Sequence, residues 1–260
     1  MPKFSANLSM LFCEHPFVER FAAAADAGFK AVEYVSPYSL PAGHIAELLA
    51  ENKLQQALFN MPTGDWEKGE RGIACHPDRT NEFQDGVGKV IDYAKALGCS
   101  KVNCLAGICL ANVSRGDAFE TLVSNVTFAA AVLKKENILL VIEPINFHDI
   151  PGFFLNTSKD GMSVLDAVGS DNLKLQYDVY HMQRMEGRLE ETLTRLMPRI
   201  GHIQIADDPG RHEPGTGTIN YARILKHIDA LGYDGWVGAE YKPLNGTSSG
   251  LSWMKDYDDT

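Results

Sequence analysis

Eight short runs with the character of buried strands alternate with helical patterns along the chain. The runs are Phe4–Leu8, Ala31–Tyr34, Gln55–Phe59, Lys101–Ala106, Leu139–Glu143, Leu173–Asp178, Gly201–Gln204 and Trp236–Glu240. Helical periodicity fills the gaps: Phe17–Ala27 closed by Gly28, Ala42–Asn52, Asn81–Leu97 closed by Gly98, then 118–135, 158–168, 189–197 and 221–231. Glycine after the last periodic residue is the usual helix stop, because it adopts the left-handed conformation without strain. Parallel strands need helical crossovers on their outer face, so this order predicts an α/β chain folded as one (β/α)8 barrel over residues 1–260. A doubly wound open sheet would place a glycine-rich phosphate turn after its first strand. Asn7-Leu8-Ser9-Met10-Leu11 contains no glycine.

Four of the later runs end on side chains able to hold a metal: Glu143, Asp178, Gln204 and Glu240. A barrel of parallel strands points every carboxyl end at one mouth, so residues distant in sequence converge there. Three carboxylates and an amide oxygen are hard ligands, and they predict one divalent cation, Mg²⁺ or Mn²⁺, rather than Zn²⁺. Each residue also has an ordinary reading. Asp178 is well placed to cap the turn that follows it, and Glu143 before Pro144 to end a strand in solvent.

Composition narrows the partners. Among 260 residues there are 34 Asp and Glu against 24 Lys and Arg, a formal net charge of -10, which argues against a nucleic-acid partner. No apolar stretch approaches the ~20 residues of a membrane span, and the opening Met1-Pro2-Lys3-Phe4-Ser5 lacks a signal peptide's hydrophobic segment, so a cytoplasmic protein without a membrane partner is expected. The five cysteines include no Cys-x-x-Cys and predict neither disulfides nor a zinc knuckle. Residues 60–78, rich in glycine and proline, form a candidate lid containing Trp66, Glu67, Glu70 and Arg71. The tail from Tyr241 is expected over the barrel mouth or in assembly, with a homo-oligomer as one outcome.

Several runs resemble hydroxypyruvate isomerases: Ala6-Asn7-Leu8-Ser9-Met10-Leu11-Phe12, Gly64-Asp65-Trp66-Glu67-Lys68-Gly69-Glu70-Arg71-Gly72, Ile142-Glu143-Pro144-Ile145-Asn146, Tyr177-Asp178-Val179-Tyr180-His181-Met182-Gln183-Arg184-Met185-Glu186-Gly187, Gly201-His202-Ile203-Gln204-Ile205-Ala206-Asp207 and Glu240-Tyr241-Lys242-Pro243. The resemblance covers essentially the whole chain and implies a xylose-isomerase-like barrel. It further implies an isomerase of small anionic 2-oxo-hydroxy acids, converting hydroxypyruvate to tartronate semialdehyde or, in a similar subgroup, acting on 2-oxo-tetronates. The residues matching Glu143 and Glu240 act in the family as proton donor and acceptor, and with Asp178 and Gln204 they match its metal ligands. Ketose 3-epimerases, in the same wider group, usually carry His where this chain has Gln204.

The chemistry points the same way. Moving a carbonyl by one carbon requires removing a proton from C3, passing through an enediolate and protonating C2. A divalent ion stabilises the negative oxygens, and two carboxylates divide the proton transfers. Arg211, in the loop after the seventh strand, is placed to grip a substrate carboxylate. Lys242, two residues beyond Glu240, is expected to face the same pocket, and His181, three beyond Asp178, to bind a substrate oxygen or support a ligand. His202 is expected behind Gln204, and Glu33 to support the barrel floor or the pocket. A ketose 3-epimerase and a catalytically silent sugar-acid-binding protein are the rival readings.

Overall fold

The computed structural model describes residues 2–257. Eight parallel strands close into a barrel in sequence order: β1 (Lys3–Asn7), β2 (Ala31–Tyr34), β3 (Gln55–Asn60), β4 (Lys101–Cys104), β5 (Leu139–Ile142), β6 (Leu173–Asp178), β7 (Ile200–Ile205) and β8 (Trp236–Ala239). β8 returns to β1 in the register Phe4 to Val237 and Ser5 to Gly238, so no sheet edge remains open. The helices are α1 (Arg20–Asp26), α2 (Ala42–Glu51), α3 (Thr80–Leu97), α4 (Arg115–Lys135), α5 (Ser158–Val168), α6 (Val179–Met185), α7 (Leu189–Leu196) and α8 (Tyr221–Ala230). The expected (β/α)8 barrel is therefore the observed fold.

The longer helices each bury one apolar stripe against the strands. In α3 the buried residues are Phe83, Val87, Val90, Ala94 and Leu97, a spacing of three and four that keeps one face inward. Gly98 ends this helix at φ +60°, as its position predicts. Helix α6 was not expected. It follows β6 without a loop because Asp178 caps it, its side chain accepting from the N–H groups of Tyr180 and His181.

Polar side chains, rather than branched apolar ones, fill much of the barrel axis. Ser5 and Asn7 from β1, His202 and Gln204 from β7, and Glu33 from β2 meet there through side-chain hydrogen bonds. Gly238 on β8 makes room, since a Cβ at that position would lie 2.3 Å from a Glu33 carboxylate oxygen. Glu33 therefore occupies the barrel centre beneath the mouth.

The first part of the tail lies at the rim of the mouth, where the Lys242 N–H donates to the Arg211 carbonyl, the Thr247 N–H donates to Glu14 and the Thr247 hydroxyl accepts from the Phe12 N–H. A 3-10 helix, Ser248–Asp256, runs down the outer side of β1, where Trp253 packs edge-on against Phe4 at 4.9 Å and donates to the Tyr241 hydroxyl. Its apolar side chains cover β1 as a crossover helix covers the other strands; residues 258–260 of the expected tail lie outside the described residues. No helix among the described residues is long and apolar enough to cross a membrane.

Candidate metal centre and active site

Strand ends β5, β6 and β8 bring Glu143, Asp178 and Glu240 together, and the first turn of α6 adds His181. One ligand atom from each of these four lies within 4.8 Å of the others, and all four residues are buried. Asp178 has two functions at once. Its Oδ1 caps α6, at 2.8 Å from the Tyr180 nitrogen, while its Oδ2 is buried without a hydrogen-bond partner. A buried carboxylate oxygen left without a hydrogen bond is costly, and a cation at this point would satisfy it.

The carboxylates are held differently. Glu143 Oε2 accepts from Asn103 Nδ2 at 2.9 Å, and that amide nitrogen also donates to Asn60 at 3.2 Å. Glu240 Oε1 accepts from Asn7 Nδ2 at 3.0 Å, and its Oε2 accepts from Arg211 Nη2 at 2.5 Å. Burial, reinforced by the charges of Glu240 and Asp178, holds the Glu143 carboxyl well above the ordinary range. Burial also lifts Glu240, to about 7, with Arg211 opposing the rise and Asp178 and Glu33 adding to it. Asp178 is raised as well, chiefly by burial, with Arg211 pulling the other way. Three buried acids and one facing arginine carry surplus negative charge whenever all are ionised. Together with the orphan Asp178 oxygen, this hard-oxygen donor set fits a divalent cation.

The loop carrying Arg211 is built around Asp207. Its carboxylate accepts from the N–H groups of Asp208, Gly215, Gly217 and Ile219, and this folds residues 207–219 back over β7. The Lys242 N–H donates to the Arg211 carbonyl at 2.7 Å, and the guanidinium lies over the Tyr180 ring, 5.3 Å from its centroid. Arg211 Nη2 is 3.5 Å from Asp178 Oδ2, while Nε is buried and unpartnered.

One expected residue falls elsewhere. Lys242 clasps this loop through its backbone, and its side chain is exposed rather than among the acids. The strand has ended at Ala239, so alternation no longer governs where residue 242 points. Gln204 is buried beside Asp178, its register partner on the neighbouring strand. Its amide donates to Glu33 at 2.7 Å and its oxygen accepts from Gln176 at 2.6 Å, so in this arrangement both ends of the side chain are engaged within the barrel. His202 donates to Glu33 Oε2 at 2.9 Å, and Lys101 approaches its other ring nitrogen at 3.4 Å. Despite its burial, Glu33 stays below the ordinary carboxyl range because His202, Gln204 and Ser5 stabilise the anion.

The 60–78 segment is anchored as well as exposed. Gly72 sits at φ +104° with its Cβ position 2.2 Å from the Leu105 carbonyl oxygen, an approach open only to glycine. Its N–H donates to Thr63, and Cys75 donates to Ala106. Glu70 receives Arg79 and the Asp65 N–H, Arg71 stacks 3.8 Å above Trp66, and residues 65–69 stand exposed.

Asn7, Asn103, Asn146 and Gln176 were not singled out from sequence, although all touch this site or its support. A signal for three of them was present: Ser5/Asn7, Lys101/Asn103 and Gln176/Asp178 are polar pairs two residues apart inside apolar strands, the mark of one strand face turned to a polar axis.

Comparison with known proteins agrees with this architecture. Residues 21–257 match the model of the xylose isomerase-like TIM barrel family. The hydroxypyruvate isomerase of Escherichia coli K12 is 53% identical over 257 residues, covering 99% of this chain and 100% of that protein. The 2-oxo-tetronate isomerase of Cupriavidus necator is 46% identical, covering 99% of each. A Brucella melitensis crystal structure described as an AP endonuclease of family 2 superposes with a TM-score of 0.97 at 41% identity, covering 100% of both chains. The chain belongs to the xylose isomerase-like TIM barrel family and, within it, to the group of hydroxypyruvate and 2-oxo-tetronate isomerases.

Proposed function

We propose that this isomerase interconverts hydroxypyruvate and tartronate semialdehyde, with Glu143 and Glu240 as the proton-transfer pair. The observation carrying this reading is the convergence of these two glutamates, both with raised pKa, on a buried cluster that they share with Asp178. Glu143, Asp178 and Glu240 would hold a divalent cation, Mg²⁺ or Mn²⁺, with Gln204 joining if its amide turns from Gln176. Such an ion supplies Lewis-acid stabilisation of negative charge on the substrate's oxygens.

The side chains account for the rest. One carboxylate takes the proton from C3 of hydroxypyruvate, leaving an enediolate, and the other acid delivers a proton to C2. The hydroxyl proton passes from O3 to O2, so the carbonyl moves from C2 to C3 and no atom is gained or lost. In the metal-free site Glu240 faces the Arg211 cation and Glu143 the neutral Asn103 amide, so Glu240 ionises the more readily of the two. Arg211 Nε, buried and unpartnered, is available to the substrate carboxylate. Burial excludes water from the enediolate.

The second reading is a 2-oxo-tetronate isomerase, favoured by the 46% identity to the Cupriavidus enzyme and differing only in a pocket for one more hydroxymethyl group. A panel of hydroxypyruvate, 2-oxo-tetronates and free ketoses, followed by NMR in D₂O with Mg²⁺, Mn²⁺ or EDTA, separates the readings. Hydroxypyruvate is expected to give tartronate semialdehyde deuterated at C2. Turnover of tetronates alone selects the second reading, and a product with its carbonyl unmoved indicates epimerisation. Glu143→Gln and Glu240→Gln are each expected to lower turnover at least ~10²-fold; near-normal rates in both refute the assignment.

A further inference from the structure

His181 sits among the carboxylates with a ring nitrogen turned toward them, so it looks like a fourth metal ligand. Its other nitrogen decides otherwise. Asn146 Nδ2 lies 2.7 Å from His181 Nδ1, and the same amide's oxygen accepts from the Asp149 N–H at 2.8 Å. A backbone N–H is always a donor, so the amide cannot be reversed without setting two donors face to face. Asn146 therefore presents N–H to the imidazole, and Nδ1 must accept with its lone pair. The imidazolium is excluded on the same ground, because it would place an N–H against an N–H. A neutral ring with a bare Nδ1 carries its proton on Nε2, the atom 3.6 Å from Asp178 Oδ2 and 3.9 Å from Glu143 Oε1.

We propose that Asn146 is a positioning residue that fixes His181 as the Nε2–H tautomer, so that this imidazole faces the cluster as a hydrogen-bond donor and not as a metal ligand. An ion held there would rest on oxygen atoms alone, while the Nε2–H is aimed at a substrate oxygen that gains negative charge in the enediolate. Donors prearranged at such an oxygen act in the transition state at no reorganisation cost. Asn146 is itself buried, and Asn156 anchors its segment by donating to the Ile145 carbonyl. The kinetic part rests on the isomerase reading above; the tautomer does not.

Long-range ¹H–¹⁵N NMR of histidine-labelled protein, with and without saturating Mg²⁺, tests the tautomer directly. Wild type is expected to show a protonated Nε2 and an unprotonated Nδ1 in both states. A protonated Nδ1, or loss of the Nε2 proton when Mg²⁺ is added, overturns the inference. Asn146→Asp replaces the donor with an acceptor of the same shape, and it is expected to invert the tautomer and lower kcat about 10²-fold while Mg²⁺ still binds. An unchanged tautomer in this variant, or an inverted tautomer with wild-type kcat, removes the role given to Asn146. If wild-type protein shows the expected tautomer and converts no 2-oxo-hydroxy acid, the isomerase reading fails and the tautomer assignment stands.

Discussion

Glu240→Gln should stabilise the EDTA-treated protein at pH 8 relative to pH 5, although it removes a catalytic group. In the folded chain the Glu240 carboxyl titrates near 7, against an ordinary value of 4.5. Below 4.5 both folded and unfolded chains hold the proton, and the carboxyl imposes no penalty. Between 4.5 and 7 the unfolded chain loses its proton while the folded one retains it, so stability falls as pH rises. Above 7 the full cost is present. At about 1.4 kcal/mol per pH unit, the separation amounts to about 3 kcal/mol, or roughly 5–10 °C in Tm for a chain of this size. Comparing variant with wild type at each pH cancels the titration of groups away from the site. Thermal unfolding in EDTA at pH 5 and pH 8 measures the double difference, and Mg²⁺ at pH 8 should favour the wild type again. A variant that gains nothing, or loses ground, between pH 5 and pH 8 would refute the claim that this site carries surplus buried negative charge.

Other perturbations probe the supports of the site. Glu33→Gln turns an amide N–H₂ toward donors from Ser5, Asn7, His202 and Gln204, and should cost on the order of 3 kcal/mol in urea unfolding; a loss below 0.5 kcal/mol would contradict the central role of that carboxylate. Asp207→Ala strips the acceptor from four backbone N–H groups and should raise KM by loosening Arg211, with a smaller effect on the stability of the barrel; unchanged KM counts against it. Gly72→Ala drives a methyl into the Leu105 carbonyl and should destabilise the protein by roughly 1–3 kcal/mol, seen as a lower denaturant midpoint. Adding Mg²⁺ at pH 6.5 should release protons from Glu143 and Glu240, detectable as a dependence of the calorimetric heat on the buffer's ionisation enthalpy.

Much of the barrel and three of its acids were legible in the chain. Strand and helix periodicities are local properties, and once eight units alternate, parallel closure points all strand ends to one mouth; Glu143, Asp178 and Glu240 meet there. Helix α6 has no separate signal because it begins at Val179, directly after the last residue of β6, with no loop to separate two periodicities. Lys242 was expected at the pocket by extending strand alternation past Ala239, where the strand stops.

What remained was set by neighbours that no local pattern identifies. Whether Gln204 meets an ion or the Glu33 carboxylate depends on the amide that Gln176 donates from β6 and the carboxylate that Glu33 presents from β2, and which nitrogen of His181 bears a proton depends on a backbone N–H at Asp149, reached through Asn146. The sequence by itself determined the order of the elements and the residue types delivered to the mouth, since backbone periodicity acts over a few positions. Only the tertiary structure decided orientation, protonation and pairing, because those follow from hydrogen bonds and charges between side chains that are distant in sequence and share one dry interior.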